Sequence, residues 1–163
     1  MNYKQRASQF LTKHGLRERD ESVPQARAKP QQREYVEQKA VVQWAQYRSE
    51  FVPALRLLHA IPNGGSRSKR QDPRTGRWYS PEANRFKAMG VVAGIPDLHL
   101  PVARKGYHSL YIEVKAAGGK VSDDQTEMIR LLEAEGNLCK VCVGRGEAIE
   151  TLIDYLDIPS RYR

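Results

Sequence analysis

Cysteine is scarce in this chain: only Cys139 and Cys142 are present. Two thiols cannot make the disulfide framework of a small secreted domain, and they point to a reducing compartment. Long apolar runs are also missing. The most apolar stretch, residues 91–103, is interrupted by Asp97 and His99 and falls short of the roughly 18 apolar residues a membrane span needs. No membrane partner is therefore expected. The first 22 residues are polar and charged, so no secretory leader is expected and a cytoplasmic location follows. No internal repeat is present. Acidic residues are under-represented, 19 against 27 Lys+Arg, for a formal charge of +8. The imbalance is local: residues 1–120 hold 22 basic and 10 acidic residues, whereas 121–163 hold 5 and 9. A basic body with an acidic end fits a polyanionic partner on one side, and nucleic acid is the natural one. The hydrophobic fraction of 40% is enough for a core, and the length suits one ordinary domain.

Residues 1–30 have few large apolar side chains and are interrupted by Pro24 and Pro30. They read as a mobile arm with a short helix near Tyr3–His14, leaving residues 31–163 as the folded domain. Val36, Ala40, Trp44 and Tyr47, widened by Val41, recur at helical spacing and predict a helix over 32–48. Residues 55–61 predict a buried strand stopped by Pro62-Asn63-Gly64-Gly65. Residues 66–79 have no core-forming period and predict a basic loop. Ser80-Pro81-Glu82 is a helix start whose helix ends at Gly90. Residues 95–102 and 109–115 predict two strands of a hairpin turning near Gly106. Ser122-Asp123-Asp124-Gln125 opens a helix in a capping-box pattern, with Met128, Ile129, Leu131 and Leu132 as its apolar face and Gly136 at its end. A strand over 138–143 and a helix over 147–156 follow. The expected fold is α/β, a central mixed sheet flanked by helices.

Three motifs fail on inspection. Cys139 and Cys142 lie three apart on a predicted strand, so they face opposite ways and cannot share a metal. Gly144-Arg145-Gly146 lacks the third glycine of a dinucleotide turn, since Ile149 stands there. Gly119-Lys120 is followed by Val121, not Ser or Thr, and Val114 stands where a phosphate-binding loop has its first glycine. The histidines, at 14, 59, 99 and 108, show no paired-ligand spacing.

One constellation carries chemistry. Pro96-Asp97 is followed, after 15 intervening residues, by Glu113-Val114-Lys115. On a strand, Glu113 and Lys115 project to one face and Ile112 and Val114 to the other. The hairpin would bring Asp97 alongside Glu113. Two adjacent carboxylates repel unless a cation lies between them, and a hard one, Mg²⁺ or Mn²⁺, suits oxygen ligands. Such a centre suits phosphodiester hydrolysis, with the lysine orienting or deprotonating water or balancing developing charge. A Glu113–Lys115 surface ion pair beside an unrelated Asp97 satisfies the same spacing.

Gly94-Ile95-Pro96-Asp97 followed by Ile112-Glu113-Val114-Lys115 resembles the PD-(D/E)xK nuclease superfamily, and within it the VRR-Nuc branch. Further matches are Glu37 on the first helix, Asn63-Gly64-Gly65, and Gln125 on the helix after the lysine. The resemblance spans roughly residues 32–157. It implies a restriction-endonuclease-like core and metal-dependent DNA cleavage. It implies Asp97, Glu113 and the Val114 main-chain carbonyl as ligands of Mg²⁺ or Mn²⁺ and Lys115 as the catalytic lysine. Glu37 would be an accessory acid near the metals and Gln125 a positioning residue. Helical spacing places Glu37 on the stripe of Val41 and Trp44, toward the domain, although an exposed acid at the stripe's edge fits as well. A capping box explains Gln125 equally well.

Asn63, Arg67, Lys69, Arg70, Arg74, Arg77 and Trp78 form the expected DNA-binding surface, the basic residues neutralising phosphates and the indole stacking on a splayed base. Free-standing relatives with this layout resemble homodimers that cut branched DNA such as four-way junctions. The alternatives are a non-catalytic nucleic-acid-binding module and a replication or repair accessory protein.

Overall fold

The computed structural model describes residues 30–62 and 70–160. The expected arm, apart from Pro30, lies outside the described residues with its helix near Tyr3–His14; so do Asn63, Gly64, Gly65, Arg67 and Lys69. The elements are α1 (Pro30–Arg48), a 3₁₀ turn (Pro53–Leu57), β1 (His59–Ala60), β2 (Arg70–Gln71), β3 (Trp78–Tyr79), α2 (Pro81–Ala88), β4 (Leu98–Leu100), β5 (Leu110–Lys115), α3 (Asp123–Ala134), β6 (Leu138–Val143) and α4 (Gly144–Leu156). The main sheet runs β1-β4-β5-β6, and β2-β3 form a separate ribbon. β1 pairs with β4 and β4 with β5 antiparallel, whereas β5 pairs with β6 in parallel. This is the mixed sheet with flanking helices that the element order predicts.

The β4–β5 connection turns through Lys105 and Gly106, both at positive φ (53° and 83°), between the bridged pair Arg104 and Tyr107. That is the backbone a two-residue hairpin needs. β4 is shorter than expected because Pro96 and Pro101 bracket it and neither carries an N–H for a ladder. Register places Leu98 opposite Ile112 and Leu100 opposite Leu110. These four, with Val114, face α1 and α4 and build the core around Val41, Ala45, Leu152 and Tyr155. The Tyr155 hydroxyl, buried, donates to the Val102 carbonyl at 2.6 Å.

Four local expectations are corrected. Residues 55–61 are not one strand: Pro53 opens a 3₁₀ turn that buries Leu55, and only His59–Ala60 pair with β4. The segment 66–79 is not simply a loop. Its described part is the β2–β3 ribbon, closed by Asp72, whose carboxylate accepts from the Arg74 and Thr75 N–H groups, and by Gly76 at φ 68°. On α1 the buried pair is Val41 and Ala45, while Val36 and Tyr47 face solvent. On α3 Leu131 turns outward, and Met128, Ile129 and Leu132 are half-buried.

Helix α4 begins at Gly144, three residues before Glu147. Gly144 adopts φ 77°, which glycine tolerates. The free N–H groups there find carboxylates: Arg145 N–H donates to Glu37 at 2.9 Å and Val143 N–H to Glu147 at 2.7 Å. Anions at a helix N-terminus are favoured by its dipole.

Candidate active site

Asp97 sits immediately before β4, where its main chain extends the β1–β4 ladder by accepting from Ile61 N–H at 2.8 Å. Its side chain crosses to β5 and accepts from Val114 N–H at 3.0 Å. Glu113 and Lys115 lie on the face of β5 turned away from Ile112 and Val114, as strand alternation requires. Both are nonetheless buried, Glu113 to 2% exposure and Lys115 to 7%. A buried charged residue needs partners. The Lys115 ammonium is 2.7 Å from Glu113 Oε1, and the Gln125 side-chain amide donates to the same oxygen.

Glu113 Oε2 is different: it is buried and has no hydrogen-bond partner among the described residues. Burial pushes the Glu113 carboxyl above its ordinary pKa. The neighbouring charges of Asp97 and Glu34 push it the same way, and Lys115 opposes them. An orphaned carboxylate oxygen beside a second carboxylate is a position a cation stabilises.

Gln125 serves two purposes at once. Its side-chain oxygen accepts from Ser122 N–H at 3.0 Å while Ser122 Oγ accepts from Gln125 N–H at 3.3 Å, completing the capping box of α3. The cap claims the carbonyl end of the amide and so turns its NH₂ end to Glu113. Helix cap and site contact, alternatives on sequence grounds, are properties of one side chain.

Gly94 sets how α3 approaches. At φ 81° it packs against the first turn of that helix, where a Cβ would stand 2.6 Å from the Asp124 carbonyl carbon and 3.0 Å from Gln125 N. Only glycine allows this approach without displacing the helix.

Glu37 is held at the start of α4, where its carboxylate accepts from Arg145 N–H at 2.9 Å. The α1 acid whose charge acts on Glu113 is Glu34, one turn earlier. A Cβ on Gly119 would stand 3.1 Å from Glu34 Oε1 and 3.4 Å from Lys115 Cβ, so Glu34 borders the lysine. Sequence reasoning passed over Glu34, although it lies at i−3 from Glu37 and therefore near the same helix face. A cleft of about 460 Å³ adjoins the site, lined by Gln32, Arg33, Val36, Glu37, Ala116, Ala117, Val143 and Gly144.

Among the described residues no group of three or more His, Cys, Asp or Glu side chains converges as a ligand set. The donors that do converge, the carboxylates of Asp97 and Glu113, the latter with Oε2 unpartnered among the described residues, suit a cation that takes one or two carboxylates and completes its shell with water and substrate oxygen. Magnesium behaves in this way.

The β2–β3 ribbon carries Arg70, Arg74 and Arg77 with Trp78, all exposed. Trp78, opposite Gln71, is 66% exposed. No helix among the described residues is long and apolar enough to cross a membrane.

The sequence profile of the VRR-NUC domain matches residues 28–146. A solved structure described as a "VRR_NUC domain protein" is similar to this chain, with 29% sequence identity and a TM-score of 0.59, covering 77% of this chain and 89% of that one. No curated protein matches the chain.

Proposed function

Because the chain belongs to the VRR-NUC domain family, a nuclease-type family, we propose that it is a metal-dependent endonuclease that hydrolyses DNA phosphodiester bonds, with branched DNA as its preferred substrate. The observation that carries this reading is the buried Glu113 Oε2, without a hydrogen-bond partner among the described residues, beside Asp97 and opposite the Lys115 ion pair. Asp97, Glu113 and the Val114 carbonyl would hold Mg²⁺ or Mn²⁺. When bound, that ion supplies charge to a phosphate oxygen and lowers the pKa of an attacking water.

The chain's own residues have distinct tasks. Lys115, held on Glu113 Oε1, keeps its ammonium next to the carboxylates, where it can donate to a phosphate oxygen as negative charge develops. Gln125 holds Glu113 Oε1 from α3, leaving Oε2 as the oxygen that would ligate a cation. Asp97 is aligned by Val114 N–H. Glu34 supplies a further negative charge within electrostatic reach of Glu113, which would favour a cation there. Glu37 acts one step back by capping α4. The ribbon residues Arg70, Arg74, Arg77 and Trp78, together with Asn63, Arg67 and Lys69, would engage the DNA backbone and exposed bases. Symmetric cutting of two strands needs two such centres, which a homodimer provides.

The test is incubation of the full chain with linear, flapped and four-way-junction DNA, in Mg²⁺ or Mn²⁺ and in chelator. Cleavage is expected with metal only and fastest on branched substrates, and Asp97→Asn and Glu113→Gln should abolish it while DNA binding persists. Salt-sensitive binding with no cleavage of any substrate would instead support a non-catalytic module.

A further inference from the structure

Two residues up-strand from the acids, the sheet carries a second row of side chains. His59 on β1, His99 on β4 and Tyr111 on β5 are register partners across the three strands. Strand alternation puts His99 on the face of Asp97 and Tyr111 on the face of Glu113. The rings touch in sequence. His99 lies flat on Tyr111, centroids 4.2 Å apart and planes within 14°. His59 meets His99 almost at right angles, with centroids 5.1 Å apart and planes at 82°. The His59 ring is also braced at its base, where Nδ1 is 2.9 Å from the Leu57 carbonyl oxygen.

A sheet needs only apolar or β-branched cross-strand pairs to hold together. Here the row consists of three flat, polar-edged rings, graded from half-buried Tyr111 to exposed His59. In a perpendicular contact one ring supplies an edge and the other a face. Whichever role His59 takes, at least one of its faces lies outside the row. Two residues along a strand is about 7 Å, the reach of one nucleotide from a phosphate seated at Asp97 and Glu113.

We propose that the His59–His99–Tyr111 row is a stacking platform for an unpaired nucleobase that flanks the scissile phosphate. This inference rests on the nuclease reading above and narrows it: a base on the platform is out of its duplex, so the substrate class is DNA with unpaired or splayed nucleotides next to the cut. Imidazole and phenol rings are suitable surfaces for such bases, and the contact is tolerant of base identity. The bracing of His59 means that little side-chain freedom remains to be lost on binding.

The test uses the full-length Glu113→Gln protein, which should bind DNA without cutting it. The probe is a branched oligonucleotide carrying 2-aminopurine at one position at a time, within three nucleotides on either side of the cut mapped with the unsubstituted protein. Anisotropy reads binding and 2-aminopurine emission reads stacking. At one flanking position, bound-state emission is expected to stay quenched with the row intact and with His59→Phe. It should rise in His59→Leu and His99→Leu, with affinity weakened by about tenfold. His59 is exposed, so His59→Leu should leave the fold intact, as circular dichroism would verify. DNA bound with emission unaffected by either leucine variant at every position would overturn the platform while leaving the nuclease reading standing. Absence of DNA binding would overturn both.

Discussion

Replacing Gly94 with alanine tests whether the approach of α3 to the sheet controls the candidate site. Two costs are separable. The first is backbone strain: an L-residue at φ 81° costs about 1–2 kcal/mol. The second is steric. A Cβ would stand 2.6 Å from the Asp124 carbonyl carbon, against the 3.4 Å at which ordinary contact begins. Relief requires the first turn of α3 to retreat by about 1 Å, an overpacking cost of roughly 1–3 kcal/mol. Gly90 provides the control, because it has nearly the same φ (84°) and nothing within 4 Å of a Cβ. Gly90→Ala should therefore suffer only the backbone strain, and Gly94→Ala both costs, about 2–5 kcal/mol in all by the same magnitudes. The same retreat pulls Gln125 from Glu113. A misplacement of about 1 Å near reacting groups costs on the order of 100-fold in rate, so Gly94→Ala should cleave poorly even where it is fully folded, whereas Gly90→Ala should not. Urea unfolding of both variants, with single-turnover cleavage in Mg²⁺ well below the unfolding transition, measures the two effects. Equal stability and equal cleavage in the two variants would refute the assignment of Gly94 as the residue that sets the α3 approach.

The pH dependence of stability should expose Glu113. Its pKa is raised in the folded chain, chiefly by burial and then by Asp97; the folded state therefore holds this proton more tightly than the unfolded state, and the contribution is complete below the ordinary carboxyl pKa and vanishes as pH rises through the raised value. Thermal unfolding of the metal-free protein should thus show stability falling over that window, less steeply in Glu113→Gln, and Mg²⁺ should restore the unsubstituted protein alone. Gln125→Ala should lose the side-chain half of the capping box, the bond from Ser122 N–H, while Ser122 Oγ still accepts from the residue-125 N–H, at a cost of about 1 kcal/mol, and slow cleavage; Gln125→Glu, which keeps both cap bonds but sets a like charge against buried Glu113, should slow cleavage as well and lose stability in chemical denaturation at neutral pH that returns as the pH is lowered. Replacing Arg70, Arg74 and Arg77 together with alanine should reduce the slope of log affinity against log salt by about 0.9 for each phosphate that is no longer neutralised; an unchanged slope in a fluorescence titration would remove the ribbon from the DNA surface.

Much of the site was legible because its signals are local. Strand alternation alone separates Glu113 and Lys115 from Ile112 and Val114, and Ser122 to Gln125 announces a helix start within four residues. The errors arose where local preference met competing constraints. Leu55 is apolar enough for a strand, yet Pro53 at the head of the segment makes a 3₁₀ turn that buries it. Helical spacing alone cannot tell which of two overlapping faces of α1 meets the sheet, the one through Val36 and Tyr47 or the one through Val41 and Ala45; packing on α4 and β5 selects the second.

The amino-acid sequence by itself determined the order and type of the main elements, the mixed sheet, the Asp97–Glu113–Lys115 constellation and the family resemblance, because each is written in residue spacing along one or two elements. Tertiary structure alone decided where the two α1 acids sit. Their positions depend on how α1 crosses the sheet: Glu37 meets an N–H group that opens α4, 108 residues away in sequence, while Glu34 lies against Gly119. It alone also left Glu113 Oε2 without a partner among the described residues and aligned His59, His99 and Tyr111 in one row. Both follow from strand register and from the distance at which α3 rests on Gly94, quantities set by the packing of remote segments and encoded in no single stretch of the chain.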